Sequence, residues 1–249
     1  MVEDFGVNQE VFKAVLENTS IKLDIVYSGS DAIKRFKVRD GQYDVIFMDI
    51  QMAEMDGYET TRRIRTLPEI QNTKNVPIIA MTAKSSPEDV EKFLRAGMTD
   101  YINKPVSRES VMEKIKKYTN FEDASATCQP AGADDVSAYS KYLPYVDVED
   151  MEKRIGCGIE VCKALLKDFL NNGYIDEFSR TLQNKDRFRA KEIIHNIKGI
   201  SSNLSLSELY AKSVEYEQKI KDSTDTYEDL EAMKELIKIT KENIQAFTS

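Results

Sequence analysis

Short apolar runs and amphipathic stretches alternate along the first 120 residues, and this alternation constrains the fold more than any other feature of the chain. The apolar runs that have the length and composition of β-strands are LDIVYS (23–28), YDVIFMD (43–49), VPIIAMTA (76–83) and DYINKP (100–105). The stretches with a helical period begin at Asn8, Ser30, Gly57, Pro87 and Ser107. A repeat of strand and helix predicts a parallel sheet that is covered on both faces.

Strand patterns stop after residue 120. Residues 121–146 are rich in Ala, Ser, Asp and Gly and show neither period, which predicts a linker whose Tyr139, Tyr142 and Tyr145 are able to pack on a neighbour. From residue 147 to residue 249 the apolar residues recur at helical spacing, which predicts an all-helical bundle. The sequence therefore predicts an α/β domain at 1–120, a linker at 121–146 and a four-helix bundle at 147–249.

Composition excludes several classes of function. The formal net charge is −8 and none of the three segments is basic overall, which argues against nucleic-acid binding. No apolar run approaches the roughly 18 to 20 residues of a membrane span, so we expect no membrane contact by this chain itself. The acidic N-terminus does not resemble a secretory signal, which predicts a cytoplasmic location, either as a separate protein or as the cytoplasmic tail of a membrane-bound one. The cysteines have no zinc-binding spacing, and we expect them to be reduced.

Polar side chains follow the predicted strands of the first domain. They are Glu3, Asp4, Asp49, Thr82 and Lys104. Because ligands of an open parallel sheet bind at the carboxyl ends of its strands, we expect these side chains to converge. Carboxylates grouped in this way suit a hard divalent cation, and Mg²⁺ is the natural candidate. An aspartate beside Mg²⁺ can attack a phosphoryl group in line while a lysine and a hydroxyl contact its oxygens, so the cluster predicts a phosphoryl acceptor.

The only histidine of the chain, His195, lies in a predicted helix over Lys191–Leu204. Ile193, Ile197, Ile200 and Leu204 form one apolar stripe of that helix, with Ile194 at its edge. Lys191, Lys198, Gly199 and Ser202 share the other face with His195. We therefore expect a solvent-facing imidazole flanked by cations. A glycine inside a helix costs about 1 kcal/mol relative to alanine, and close approach of another protein would explain it.

Four segments of the first domain resemble the receiver domain of bacterial response regulators in order and spacing. They are VED (2–4), FMDIQMAEMDG (47–57), MTA (81–83) and YINKP (101–105). The resemblance implies a doubly wound, flavodoxin-like parallel sheet of five strands, with Asp49 as the phosphorylated residue. It further implies that Mg²⁺ is held by Glu3, Asp4, Asp49 and the backbone carbonyl of Gln51. It also implies that Thr82 and Tyr101 form a switch pair, that Lys104 bridges to the phosphate, and that a cis bond precedes Pro105.

The chain departs from this family at its start. Receiver domains have an apolar strand of about five residues before the acidic pair, whereas only Met1 and Val2 precede Glu3 here. That strand lies inside the sheet, so its loss would leave unpaired backbone groups and an open slot. We expect a truncated first strand, a sheet completed by another chain, or a rearranged receiver.

The sequence HNIKGISSN (195–203) resembles the His-x-x-Lys-Gly signature of the histidine phosphotransfer domain, which is a four-helix bundle. The resemblance implies that His195 carries phosphate, that Lys198 interacts with it and that Gly199 admits a receiver. Lys191 and Ser202 would belong to the same docking face. A receiver followed by such a domain resembles the C-terminal part of hybrid sensor histidine kinases.

These resemblances imply a phosphorelay protein of two-component signalling, in which a histidine kinase phosphorylates Asp49 and His195 relays the group to or from a receiver. The partners would be the kinase and other receiver or phosphotransfer domains. No glycine-rich nucleotide motif is present, so we expect a phosphoryl carrier and not an enzyme. One alternative is a docking module that is not phosphorylated. Another is an aspartyl-phosphate phosphohydrolase of the haloacid-dehalogenase kind, which requires an aspartate where this chain has Gln51.

Overall fold

The computed structural model describes residues 1–68, 70–83, 86–122, 136–173, 176–177, 180–181 and 187–249. The chain divides into two compact units, Met1–Thr127 and Cys128–Ser249. The first unit contains strands and helices, and the described part of the second contains helices. Much of the predicted linker, residues 123–135 with Cys128, lies outside the described residues.

The first unit has a parallel sheet of three strands in the order β1-β2-β3, namely β1 (Ile46–Asp49), β2 (Ile78–Thr82) and β3 (Asp100–Asn103). Every residue of β1 and β2 is buried. This burial explains why both strands are apolar without interruption, because a parallel sheet covered on both faces exposes neither side of a central strand. The helices of the unit are α1 (Gly6–Val15), α2 (Gly29–Val38), α3 (Gly57–Arg65), α4 (Pro87–Ala96) and α5 (Arg108–Tyr118).

Short polar side chains fix where these helices begin. Ser28, Asp56, Ser86 and Ser107 each accept a hydrogen bond from the backbone N–H three residues ahead. The start of α3 packs tightly on the end of β1, because a Cβ atom on Gly57 would lie 2.2 Å from the carbonyl oxygen of Asp49. Only glycine fits there, and it holds the loop after Asp49 close to the sheet.

Two of the five predicted strands do not form: the strand at residues 23–28, where the prediction is wrong, and the first strand, whose truncation we expected from the sequence. Val2 forms single parallel bridges with Val26 and with Met48, and neither segment qualifies as a strand. Its N–H donates to the Phe47 carbonyl at 2.8 Å, and its carbonyl accepts from Asp49 N–H at 2.9 Å. Residues 23–28 form a bridge only at Val26, because the segment that lies beside them, around Val2, is short. The parallel sheet with flanking helices is confirmed. The bridges at Val2 and Val26 extend it beyond β1.

The open slot expected from the missing strand is a cavity of about 30 Å³. Val2, Val26 and Val45 contribute to its walls, and Phe36 and Ile64 line it from the helices. This volume corresponds to roughly one or two water-sized spheres. The slot beside Val2 is therefore small.

The helices described in the second unit are α6 (Val148–Ile155), α7 (Ile159–Asn171), α8 (Arg187–Asn203), α9 (Ser207–Asp222) and α10 (Tyr227–Thr248). Helix α9 packs on α8, and α10 packs on both α7 and α9. The apolar side chains Phe169, Ile194, Ile197 and Met233 are almost fully buried. The helical nature of this unit agrees with the sequence pattern, while its description as a four-helix bundle stays a prediction.

The end of the predicted linker is structured. Residues Val136–Tyr142 form a 3₁₀ helix, and the rings of Tyr139 and Tyr142 pack edge-on against Phe247 at centroid distances of 5.3 and 5.4 Å. Aromatic contacts of this kind add to the free energy gained by burial. The prediction that tyrosines of this segment pack on a neighbour is confirmed for Tyr139 and Tyr142, and the neighbour is α10. None of the described helices is both long and apolar enough to cross a membrane.

Candidate functional site

Three carboxylates meet beside the end of β1. One oxygen from each of Glu3, Asp4 and Asp49 lies within 4.8 Å of the other two. The hydrogen bonds of Val2 with β1 set this arrangement, because they place the next two residues alongside the carboxyl end of the strand. Val2 alone therefore positions Glu3 and Asp4 at the site, a role that we had expected of a full strand.

Lys104, directly after β3, neutralises part of this cluster. Its Nζ lies 2.8 Å from Asp49 Oδ2 and 3.0 Å from Glu3 Oε2, and its side chain is 11% exposed. The Lys104 N–H donates to the Thr82 carbonyl at 2.7 Å, which ties the ends of β3 and β2 together. Burial lowers the pKa of Lys104, but the charges of Asp49 and Glu3 outweigh this and raise it above its usual value. The expected cis bond before Pro105 is present.

The environment of Asp49 and of Asp4 favours the neutral form of each carboxyl group. Burial, followed by the charge of Glu3, raises the pKa of Asp49 well above its usual value despite the opposing effect of Lys104. Burial also raises the pKa of Asp4 to about 6, although the Ala53 N–H donates to Asp4 Oδ2 at 2.9 Å. Carboxylates crowded in this way gain free energy from an added cation.

One atom of the cluster lacks a partner. Asp4 Oδ1 is buried and has no hydrogen bond within the described part of the chain. Buried oxygens without partners are rare in folded proteins and call for an explanation. Three carboxylates with one unpaired oxygen fit the oxygen-ligand preference of Mg²⁺. The Gln51 N–H donates to Asp49 Oδ1 at 3.3 Å, which places its backbone beside the cluster, while the role of its carbonyl stays a prediction.

The environment of His195 on α8 differs from the sequence prediction. Its side chain is only 25% exposed, and Nδ1 lies 2.8 Å from Oε1 of Glu217, a residue of α9. Lys198 Nζ lies 3.3 Å from the same nitrogen and 2.7 Å from Glu217 Oε2. The prediction of a solvent-facing ring flanked by cations is thus wrong in part, because the packing of α9 on α8 brings an acid to the ring.

The rest of the predicted face is more open. A Cβ atom on Gly199 would meet no atom within 4 Å, so the space beside this glycine is empty. Lys191 is exposed and Ser202 is half-buried. Ile194 is fully buried, so the apolar stripe of α8 is broader than the sequence prediction placed it. An open surface next to a partly exposed imidazole is the arrangement expected of a docking face.

Residues 1–116 match the family described as response regulator receiver domain. This part of the chain is a receiver domain. It is homologous to the receivers of hybrid histidine kinases. The match covers every predicted residue of the acidic site, from Glu3 to Lys104.

The relatives of the chain are much longer proteins. Hybrid signal transduction histidine kinase L of Dictyostelium discoideum is 40% identical over 119 residues, which are 47% of this chain and 7% of that protein. The aerobic respiration control sensor protein ArcB of Escherichia coli K12 is 27% identical over 216 residues, covering 84% of this chain and 26% of that protein. The chain thus spans a small part of the length of these curated relatives.

A solved structure with a similar sequence is the magnesium-bound receiver domain of the sensor histidine kinase PA1611 from Pseudomonas aeruginosa PAO1. It is 36% identical to this chain, and the match covers 48% of this chain and 94% of that one with a TM-score of 0.42.

The predicted switch residues of the receiver domain lie on adjacent strands. Thr82 is buried at the end of β2, and Tyr101 of β3 is half-buried with its ring 5.9 Å from that of Phe93 on α4. Tyr101 therefore packs beneath a helix and is not fully exposed. A switching role for the pair stays a prediction.

Sequence reasoning missed two residues that complete these sites. Asn8 donates to Glu3 Oε1 at 2.9 Å and orients this carboxylate in the receiver domain. Glu217 pairs with His195 in the helical unit. A signal for Glu217 was present, because it shares the buried positions of α9 with Ser213, Tyr216 and Ile220. An acid in a buried stripe requires a partner.

Proposed function

We propose that the chain is a phosphorelay module in which Asp49 accepts a phosphoryl group from a phosphohistidine and His195 carries the group to or from a receiver. The observation that carries this proposal is the buried Asp49 carboxylate, which lies among two further acids and 2.8 Å from Lys104. A nucleophile of this kind, with a cation beside it, suits phosphoryl transfer.

In the proposed reaction an oxygen of Asp49 forms a bond to phosphorus while the bond from phosphorus to the donor imidazole nitrogen breaks. The electron pair of that bond stays on the donor nitrogen. Lys104 then offsets the charge of the phosphoryl oxygens. Glu3, Asp4 and Asp49 would hold Mg²⁺, whose chemistry is to balance the negative charge of the transferred group. We propose that Thr82, at the end of the adjacent strand, donates its hydroxyl to that group.

The second carrier in the proposal is His195. The similarity to ArcB covers 84% of the chain and so continues beyond residue 116 into the helical unit. A partly exposed imidazole beside Lys198 and the open space at Gly199 supports a site that another protein approaches. We propose that the helical unit is a histidine phosphotransfer domain, with Lys191 and Ser202 on its docking face.

As proposed, the chain transfers phosphoryl groups that its partners supply and does not use ATP itself. The partners are a histidine kinase and other receiver or phosphotransfer domains, and the setting is cytoplasmic. The alternative of a docking module without phosphorylation draws support from the shortened first strand. The assembled acid cluster favours the relay, because docking alone gives no reason to bring three carboxylates together and to bury two of them.

Incubation with acetyl phosphate and Mg²⁺, followed by measurement of the intact mass, tests the proposal. We expect one phosphoryl group on the wild type and none on Asp49→Asn. Asp44→Asn, which changes an exposed acid outside the cluster, is the matched control and should be labelled like the wild type. An unlabelled wild type, or equal labelling of Asp49→Asn, would overturn the relay and favour the docking module.

A further inference from the structure

Two cysteines of the helical unit lie in contact at the start of α7. The Sγ atoms of Cys157 and Cys162 are 3.8 Å apart, and both side chains are buried. Gly158 is the N-cap residue of α7, so Cys157 occupies the position before the cap and Cys162 the fourth position of the helix. Apolar residues at these two positions often pack together and fix the direction in which the chain enters a helix. In this chain two thiols make that contact.

We propose that Cys157 and Cys162 form a dithiol site that reacts with a small-molecule disulfide of the glutathione type and closes to an intramolecular disulfide. The new bond fastens the start of α7 to the turn that precedes it. The site belongs to the helical unit and is independent of the proposed phosphoryl transfer.

The start of α7 has no capping side chain. Its N-cap residue Gly158 makes no side-chain hydrogen bond, whereas Asp147 at the start of α6 accepts a hydrogen bond from the Asp150 N–H at 3.0 Å. A capping side chain stabilises the first turn of a helix, and α7 lacks this contribution. The contact between the two thiols is therefore an important attachment of this helix start, and a covalent bond there would strengthen it.

The surroundings of Cys157 allow the bond to form. A disulfide has its sulfurs about 2.0 Å apart, so the two Sγ atoms must approach each other by about 1.8 Å. Glycines flank Cys157 on both sides, and Gly156 has a left-handed backbone with a φ of 72°. A Cβ atom on Gly158 would meet no atom within 4 Å. This open space admits a small reagent to Cys157, which is 6% exposed, whereas Cys162 is fully buried.

The charges around the pair favour Cys157 as the attacking sulfur. Arg154, whose side chain is 10% exposed, interacts electrostatically with both sulfurs, and its Nη2 donates to the Asn203 carbonyl at 2.6 Å. A cation beside a thiol favours the thiolate, which is the nucleophile of disulfide exchange. The hydrogen bond with Cys157, followed by burial, raises the pKa of the Cys162 thiol, so this thiol keeps its proton until the second step.

The reaction is an exchange of disulfide bonds in two steps. The Cys157 sulfur attacks one sulfur of oxidised glutathione, whose S–S bond breaks and leaves its electron pair on the other glutathione. The Cys162 sulfur then attacks the Cys157 sulfur of this mixed disulfide, and the second glutathione leaves with the electron pair. The protons of both cysteines end on the two glutathione sulfurs, so the dithiol is oxidised and glutathione disulfide is reduced. With reduced glutathione in large excess the same steps run in reverse.

Mass spectrometry tests the proposal directly, because trypsin releases both cysteines in one peptide, Ile155–Lys163, and Cys128 in another. The reduced chain is equilibrated without oxygen in mixtures of oxidised and reduced glutathione, quenched with acid, alkylated with N-ethylmaleimide and digested. We expect the oxidised peptide to carry no alkyl group and to be lighter than the reduced peptide by two hydrogen atoms. At one glutathione ratio, the folded chain should hold about tenfold more disulfide relative to dithiol than the chain in urea, because packing keeps the thiols in contact.

Valine variants test the order of the two steps, since valine keeps an apolar side chain of similar size at the contact. Cys162→Val should retain one glutathione on Cys157, because no second thiol can displace it. Cys157→Val should take none on Cys162, which is fully buried. Circular dichroism checks that each variant keeps its helices. Equal adducts on both folded variants would contradict the assignment of Cys157 as the attacking sulfur.

Hydrogen exchange shows whether the bond fastens the helix. Peptides from the first turns of α7 should exchange more slowly in the oxidised wild type than in the reduced wild type, and the same glutathione treatment should leave Cys157→Val unchanged. Three results would overturn the proposal: a folded wild type whose Ile155–Lys163 peptide carries two alkyl groups at every glutathione ratio, a disulfide no more abundant than in urea, or equal exchange in both redox states. The cysteines would then serve only as small apolar residues.

Discussion

Replacement of Lys104 by methionine should destabilise the first unit in a way that depends on magnesium. Methionine has similar length but no charge, so Lys104→Met leaves Glu3, Asp4 and Asp49 without their cation. Removing one partner of a buried ion pair costs about 3–5 kcal/mol. Because the pKa of Asp49 is already raised, the cluster can take up a proton and limit this cost. We expect a loss of about 3 kcal/mol at pH 7 in the presence of EDTA.

Magnesium should recover most of that loss. A ligand present at 100 times its dissociation constant stabilises a protein by about 2.7 kcal/mol. Without the competing ammonium, the three carboxylates of the variant should bind the ion more tightly than those of the wild type. We therefore expect the difference between Lys104→Met and the wild type to fall to about 1 kcal/mol or less in saturating Mg²⁺.

Hydrogen exchange measured by mass spectrometry on peptides that cover β1 and β2 gives the free energy of opening for this unit. Lys114→Met is the matched control, because Lys114 is similarly buried but pairs with Asp100 and Glu113, outside the cluster. Its effect should be the same with and without Mg²⁺. A deficit of Lys104→Met that is equal in EDTA and in Mg²⁺ would refute the reasoning about the cluster.

Three further predictions concern other parts of the chain. Gly199→Ala should raise the thermal midpoint of the helical unit, since alanine is favoured by about 1 kcal/mol in a helix and the added methyl meets no atom. The same variant should slow phosphoryl transfer with a partner receiver, and an unchanged rate would contradict the proposal that the receiver docks at Gly199. Asp100→Asn should cost about 1–2 kcal/mol at pH 7, because burial, which raises the Asp100 pKa, is outweighed by hydrogen bonds donated by Lys117 and neighbouring groups, which hold this pKa at about 2. A lowered pKa stabilises above the unfolded value of 3.8, so urea unfolding should show this difference shrinking as the pH falls from 3.8 through 2, and a constant difference would contradict it. Phe247→Ala should cost about 3–5 kcal/mol and release residues Val136–Tyr142, seen as faster hydrogen exchange there, whereas unchanged exchange would show that the aromatic contacts do not hold this segment.

Much of the first unit could be predicted from local sequence. The unbroken apolar runs of β1 and β2, and the serine and aspartate caps of the helices, each give the same answer as the tertiary structure. Residues 23–28 show the limit of this reasoning, since their composition favours a strand but the pairing depends on the length of the neighbouring segment at Val2. The sequence pattern of a segment indicates its preferred secondary structure, whereas its pairing in a sheet depends on the neighbouring segments.

The acidic site was predictable because Asp49, Thr82 and Lys104 lie at the ends of strands of one parallel sheet, and topology brings such ends together. The histidine site was only half predictable. The face of α8 follows from helical period, but the contact of His195 with Glu217 depends on how α9 packs across it, and the two residues are 22 positions apart. A single sequence gives no measure of that packing. The tyrosines of the predicted linker indicated packing on a neighbour, but the sequence did not identify Phe247 as the partner of Tyr139 and Tyr142.

Transfer between two complementary variants tests the exchange of a phosphoryl group between Asp49 and His195 most directly. Asp49→Asn, loaded on His195 with phosphoramidate, serves as donor, and His195→Gln, which keeps Asp49, serves as acceptor. With Mg²⁺ we predict that the donor loses one phosphoryl group for each group that appears on the acceptor, and that the double variant accepts none. A loaded donor that passes nothing to the acceptor, or passes equally to the double variant, would contradict the account.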